Sequence, residues 1–196
     1  EMRTFTKPFT QQEPIPKEGI IRAVEVMQSG KLHRYNTEKG EESEASILER
    51  EFAAYQGAQH CLACASCGYA LHIALCAAGL KRNEAVLTNA FTLAPVPGAI
   101  HNAGGRPILV EIDSNYYIDL DDLRIKAEKS GARFFILSHM RGHISNMDAI
   151  TSICDTFGLI LIEDCAHTMG ARWRGIRSGN FGKIACFSTQ TYKHMN

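Results

Sequence analysis

Along the first third of the chain, apolar positions recur at helical intervals. In PKEGIIRAVEVMQSGK, Ile20, Val24 and Met27 share one face and Gly30 supplies a stop, so the segment reads as a helix. KLHRYNTEKGEE follows, a polar stretch without periodicity that reads as a loop. Ala45, Leu48, Phe52 and Tyr55 then mark a second helix, which Gly57 ends. From residue 60 the pattern changes. Short apolar runs (HCLACA, AVLT, PILVEI, RFFILS, LILIE and IACFS) alternate with helical segments near YALHIALCAAG, VPGAIHNAG, DLDDLRIKAEKSG and NMDAITSICDTFG. Asp119 and Asn146 suit the N-cap positions of the last two. Strands alternating with helices predict an α/β fold: a three-layer, mostly parallel sheet with helices on both faces.

In such sheets, ligands gather at the carboxyl ends of the strands. The residues that follow the apolar runs are Ser66-Cys67-Gly68, Asn89-Ala90-Phe91-Thr92, Ser138-His139, Asp164-Cys165-Ala166-His167 and Ser188. They are rich in groups that grip an anionic ligand. Composition changes this picture only by exclusion. The 196 residues suffice for one domain with a sizeable core. Lys+Arg and Asp+Glu both number 21, and no basic run stands out, which argues against a nucleic-acid surface. No apolar stretch reaches the ~20 residues that span a bilayer, and the polar, acid-containing start is unlike a secretory signal. Seven cysteines, an odd number in no small-domain pattern, suggest free thiols in a reducing cytoplasm.

Three of those cysteines, Cys61, Cys64 and Cys67, have C-x-x-C-x-x-C spacing in CLACASCGYALHIAL. In a strand, Cys61 and Cys64 point to opposite faces, Cys67 falls in the turn beyond, and no second C-x-x-C completes a zinc site. The expectation is therefore no metal, with Cys61, Cys64 and Cys76 as small buried hydrophobes. The end of the segment is more informative. Small residues where a strand runs into a helix let backbone N–H groups approach a phosphate at the helix's positive end. Neither a G-x-G-x-x-G nor a G-x-x-x-x-G-K motif is present, so a plain helix start remains the alternative.

In LILIEDCAHTMGARWRG, Glu163 and Asp164 close an apolar run. Asp164 reads either as a loop acid or N-cap, or as a carboxylate that fixes a proton on a ring nitrogen; His167 reads as structural or as a ligand neighbour. ACFSTQTYKHMN then carries Ser188 and, five residues on, Lys193. A phosphate cup, a ring-nitrogen carboxylate and a lysine are together what a pyridoxal phosphate site needs.

Those residues carry a resemblance. The chain resembles the DegT/DnrJ/EryC1/StrS sugar aminotransferase family, which has the aspartate-aminotransferase-like fold. ASCGYAL is similar to the family's S-G-T-x-A-L phosphate turn, NAFTLAP to F-T-F-x-A-T, and ILSHMRGHISNMD to P-V-H-L-Y-G-x-x-x-x-M-D. IEDCAHTMG through FSTQTYK is similar to E-D-x-A-[QH]-x-x-G through F-S-F-x-x-x-K. The resemblance implies a pyridoxal 5'-phosphate-dependent aminotransferase moving an amino group from an amino acid, glutamate by expectation, to a keto group on a nucleotide-linked sugar or keto-cyclitol. It implies Lys193 as the Schiff-base lysine and Asp164 as the partner of the ring nitrogen, the two catalytic residues. It also implies His167 beside the ring hydroxyl, Leu93 over the ring face, and Ser188 with the Cys67-Gly68 backbone around the phosphate. The family has Gly-Thr at Cys67-Gly68, often an aromatic at Leu93, and Tyr at Arg141.

The same resemblance implies a cytoplasmic homodimer, with neither nucleic acid nor membrane as partner, serving polysaccharide-type biosynthesis. Residues 1–42 would form an N-terminal helix and substrate loop, and residues 43–196 part of the cofactor-binding large domain. The family's C-terminal small domain would follow Lys193, so the expectation is a truncated chain. Two alternatives stand beside this reading. One is a sugar dehydratase relative, in which histidine replaces the lysine. The other is a non-catalytic regulator that keeps the fold.

Overall fold

The computed structural model describes residue 6 and residues 14–35 and 37–195; the rest of the proposed N-terminal unit, residues 1–5, 7–13 and Asn36, lies outside them. Helix α1 (Lys17–Ser29) ends at Gly30 in the left-handed conformation. Its apolar stripe is where the periodicity puts it, yet no residue of it is buried: Ile20, Val24 and Met27 face outward. Helix α2 (Glu44–Gln56) starts at Ser43, whose side chain accepts from Ser46 N, and closes at Gly57. Arg22 of α1 pairs with Glu44 at the start of α2.

The sheet begins after α3 (Cys67–Ala77). In chain order come β1 (Ala85–Asn89), α4 (Pro95–Asn102), β2 (Arg106–Val110), α5 (Leu120–Ser130), β3 (Phe134–Ser138), a single 3₁₀ turn (Met140–Gly142) and α6 (Met147–Phe157). Then follow β4 (Ile160–Asp164), a two-residue hairpin β5 (Arg172–Trp173) and β6 (Ile176–Arg177), and β7 (Ile184–Cys186). Asp119 caps α5 by accepting from Asp121 N and Asp122 N, and Asn146 caps α6 by accepting from Ala149 N, both as the sequence predicts.

Five strands lie in the order β2-β1-β3-β4-β7, and every pair in that sheet is parallel. Strand residues alternate between two cores. Leu87, Phe135, Leu137 and Leu161 meet Leu123, Met147, Ile150 and Ile153 of α5 and α6 on one face. Val86, Phe134, Ile136 and Ile162 meet Leu71, Leu75, Val96 and Ile100 of α3 and α4 on the other. These strands are buried on both sides, which is why they read as continuous apolar runs. The chain steps from β1 outward to β2, then crosses back to β3 on the opposite flank of β1. That reversal opens a crevice at the carboxyl ends of β1 and β3.

The expected strand HCLACA is absent. Residues 60–65 form no ladder, and Ala63 N instead donates to the side chain of Glu49 at 2.7 Å. The alternation argument about Cys61 and Cys64 therefore lacks its strand. Cys64 Sγ points to Leu62 O at 3.7 Å, while Cys67 Sγ reaches Asp164, so the thiols turn to different neighbours. Cys76 is exposed rather than a buried hydrophobe. Among the described residues, no helix is long and apolar enough to cross a membrane.

Candidate active site

β3 and β4 run in register, with Ser138 beside Asp164 and Leu137 beside Glu163. Side chains alternate along a strand, so the two carboxylates at the end of β4 part company. Asp164 joins Ser138 on the crevice side, where Ser138 Oγ donates to Asp164 Oδ2 at 2.9 Å. Asp164 Oδ1 accepts from Ala166 N at 3.1 Å and meets Cys67 Sγ at 3.8 Å. A carboxylate has about four lone-pair directions. Two strong donors and one weak thiol leave Asp164 able to accept one further N–H.

Glu163 serves the opposite face and is fully buried. Its Oε1 accepts from Phe181 N and Gly182 N, each at 2.8 Å. Its Oε2 accepts from Gly179 N at 2.9 Å and meets His139 Nε2 at 3.0 Å. Burial pushes the Glu163 carboxyl up, but the His139 bond and charge and the backbone amides outweigh it, and the net displacement is downward. His139, Glu163 and Cys165 lie close enough for a three-ligand metal site. Four donors already fill the carboxylate, and burial holds the Cys165 thiol well above its usual range, so the cluster is built as a clamp on the backbone.

What it clamps is the loop that delivers Lys193. Gly179 has φ +94, and a Cβ there would lie 2.7 Å from Phe187 Cζ. A Cβ on Gly182 would lie 2.6 Å from Leu161 O. The other side of the loop is gripped by α2, where Gln56 Nε2 donates to Ser178 O at 2.7 Å and Asn180 Nδ2 to Gln56 O at 2.9 Å. The chain then enters β7, beside β4, and passes Ser188 to reach Lys193.

Lys193 Nζ lies 2.7 Å from His167 Nε2, and Arg141 N donates to His167 Nδ1 at 3.4 Å. His167 is held below the ordinary imidazole range, by burial first and by the Lys193 charge second, with Asp164 pulling the other way. It is thus neutral near pH 7, as two cations at that distance would repel. Its sign in stability is fixed. An unfolded histidine protonates near pH ~6.5, the folded one only below that, so the unfolded chain binds the extra proton and stability falls as pH drops through that window. Urea unfolding midpoints should fall between pH 7.5 and 5.5, and His167→Asn should flatten that slope; an unchanged slope would contradict the assignment.

The remaining expected residues are placed as follows. Cys67 and Gly68 open α3, and Ser66 caps it by accepting from Tyr69 N at 3.1 Å. The backbone N–H groups of Cys67 and Gly68 point out of the helix start and find no partner among the described residues. Cys67 also contributes a thiol, pushed up to about 12 by burial first and by Asp164 second, and so neutral. Ser188 Oγ accepts from Gln190 N at 3.3 Å, leaving its own O–H to donate. Leu93 is exposed in the turn before α4. An open cavity of about 350 Å³ lies between α3 and α4, lined by Ser66, Gly68, Tyr69, His72 and Pro95 among others; Asp164, His167 and Lys193 do not line it. The sequence singled out Ser138, His139 and Glu163 only by position. Their contacts depend on the register of β3 and β4.

Taken as a donor set, these groups fit pyridoxal phosphate. Asp164 has acceptor capacity to spare and meets Cys67 at the start of α3, where two N–H groups are unpaired among the described residues, and a lysine amine stands against a neutral imidazole; Ser188 has a free O–H, but its described contact is with Gln190 and not with the other candidates.

Residues 15–196 match the model of the DegT/DnrJ/EryC1/StrS aminotransferase family. The chain belongs to that family. It is 38% identical over 144 residues to the pleiotropic regulatory protein of Geobacillus stearothermophilus, covering 72% of this chain and 38% of that protein. It is 34% identical over 188 residues to 3-amino-5-hydroxybenzoate synthase of Amycolatopsis mediterranei, covering 95% of this chain and 46% of the synthase. L-glutamine:2-deoxy-scyllo-inosose aminotransferase of Streptoalloteichus tenebrarius is 32% identical, over 92% of this chain and 43% of that enzyme. The crystal structure of 3-amino-5-hydroxybenzoic acid synthase superposes with a TM-score of 0.86 at 30% identity, over 96% of this chain and 48% of that one. The chain thus spans less than half the length of these relatives. Family membership accounts for the parallel sheet.

Proposed function

We propose that this family member is a pyridoxal phosphate-dependent aminotransferase that passes an amino group from an amino acid, glutamate in the first instance, to a keto group on a nucleotide-linked sugar or keto-cyclitol. The observation that carries the reading is the 2.7 Å approach of Lys193 Nζ to His167 Nε2, on the loop that leaves β7 next to Asp164. In the same reading residues 43–196 are part of the cofactor-binding domain, residues 1–42 an N-terminal helix and substrate loop, and the protein works as a cytoplasmic homodimer.

Pyridoxal phosphate, when bound, supplies a protonated ring that takes up the electron pair left by a broken C–H bond. This chain's residues do the rest. Asp164 accepts the ring N–H and keeps that proton in place. The N–H groups of Cys67 and Gly68 and the hydroxyl of Ser188 hold the phosphate, and Leu93 covers one side. Lys193 would hold the cofactor covalently through Nζ, and when the amine of the donor takes its place the freed Nζ would carry a proton from one carbon to the next. His167 Nε2 shares a proton with Lys193 Nζ and limits where the amine can swing. Arg141, whose charge reaches His167, adds a cation for an acidic group on a substrate.

The test is amino transfer from glutamate and from glutamine to a panel of keto-sugar nucleotides and keto-cyclitols. Amination of at least one acceptor, with stoichiometric consumption of the donor, is expected; no transfer to any would overturn the reading. A regulatory role is the second reading, favoured by the 38% identity to a protein named for regulation. It predicts cofactor binding without turnover, or neither.

A further inference from the structure

Asp164 is supported by the ends of two neighbouring strands. Asn89 ends β1, Ser138 ends β3 and Asp164 ends β4, and all three are buried. The ladder between β1 and β3 runs through Thr88 and Ile136 and then stops. Beyond it the Asn89 side chain stands in for a strand. Its Oδ1 accepts from Ser138 N at 2.8 Å, and its Nδ2 donates to Ser138 O at 3.1 Å and to Phe91 O at 2.9 Å. Ser138 is thus held on both sides, by the Asn89 amide and by the β4 ladder. Its remaining freedom is the hydroxyl, which donates to Asp164 Oδ2 at 2.9 Å.

The terminal torsion of an aspartate is broad and roughly two-fold. In Asp164 it is fixed by two donors on different oxygens, Ser138 Oγ on Oδ2 and Ala166 N on Oδ1. Without the hydroxyl, Oδ2 would be a buried oxygen with no donor, and the carboxylate could turn to other partners, such as the Cys67 thiol at 3.8 Å.

We propose that Ser138, braced by Asn89, is a positioning residue that fixes the carboxylate plane of Asp164 for a ring N–H, so that the crevice between β1 and β3 sets the strength of cofactor binding. This rests on the pyridoxal phosphate reading. A merely structural Ser138 would matter to stability and not to binding.

The experiment compares the purified protein with Ser138→Ala, Ser138→Cys and Ser138→Thr. Three readouts are taken: apparent Kd for pyridoxal phosphate by spectroscopic titration, the pH midpoint of the bound cofactor's absorbance, and Tm without cofactor. Loss of a hydrogen bond to a charged group corresponds to about tenfold or more in Kd. Ser138→Ala should therefore bind about tenfold more weakly with a displaced pH midpoint, Ser138→Cys should fall between, and Ser138→Thr should return to within about threefold of the original. Equal Kd and pH midpoint across the series would overturn the proposal, as would a lower Tm with unchanged binding. Should Ser138→Ala fail to fold, the comparison of Thr with Cys decides, since only a positioning role ranks them by donor strength. If the unsubstituted protein takes up no cofactor, the functional reading fails and this proposal with it; uptake with no effect of the series sinks this proposal alone.

Discussion

Lys193→Ala should abolish turnover and the visible absorbance of the bound cofactor together. The proposed function rests two roles on one nitrogen: covalent anchoring and movement of a proton between carbons. A general base alone contributes on the order of 10²–10⁴-fold, so the combined loss should exceed about 10⁴-fold. Lys193→Arg separates this from a structural explanation. It keeps the positive charge that His167 faces at 2.7 Å, but guanidinium is neither a usable nucleophile nor a base. Arg should therefore be as inactive as Ala, while both should fold, because Lys193 lies outside the two cores. Recovery of activity by Arg would assign Lys193 to charge balance alone.

Glu163→Gln should be the most damaging conservative change in the sheet. Oε1 of Glu163 accepts from Phe181 N and Gly182 N, and Oε2 accepts from Gly179 N and meets His139 Nε2, which can donate or accept according to its tautomer. A glutamine that turns its NH₂ toward His139 leaves the Gly179 N–H unpaired, and one that turns it the other way leaves two backbone donors unpaired. A buried donor left unpaired costs about 1–3 kcal/mol, so a loss of about that size is expected in urea unfolding. A cost below about 1 kcal/mol would show that the loop does not depend on the carboxylate. The depressed pKa gives a second signature. An unfolded glutamate titrates near ~4.3. Stability from Glu163 is complete above that and is lost as pH falls through the lower folded value, so Glu163→Gln, which has no proton to gain there, should show a flatter dependence of stability on pH in that window and converge on the original protein at its acid end. This window lies below the one assigned to His167, so the two are separable. His139→Gln, which keeps a donor toward Glu163, should be milder than His139→Leu.

The same pair of strands shows what sequence could and could not reveal. AVLT, RFFILS and LILIE are strands whose residues are buried on both faces and so leave unbroken apolar runs, a local signal, while PILVEI and IACFS carry the same kind of run at the two edges of the sheet with less burial. HCLACA carries the same signal and is not a strand; among the described residues it pairs with none, and Glu49 takes the amide of Ala63 instead. Helix α1 has a legible apolar face, but no sequence rule said what would cover it. Asp164, His167 and Lys193 stand out in the sequence by their positions after apolar runs, and the fold brings His167 and Lys193 together. Cys67 was valued for its backbone, while its thiol turned out to meet Asp164. Ser138 and Glu163 were invisible as partners, since a contact between Ser138 and Asp164 exists only once β3 and β4 are paired residue for residue. Glu163 and Asp164 are adjacent in sequence, and strand alternation gives one to the loop and the other to the crevice.

Attachment of pyridoxal phosphate to Lys193 can be read by incubating the purified protein with the cofactor, reducing with borohydride, and mapping the modified peptide by mass spectrometry. A single stoichiometric adduct on Lys193, lost in Lys193→Ala, is expected. An adduct on Lys183 or another lysine, or no adduct at saturating cofactor, would contradict it.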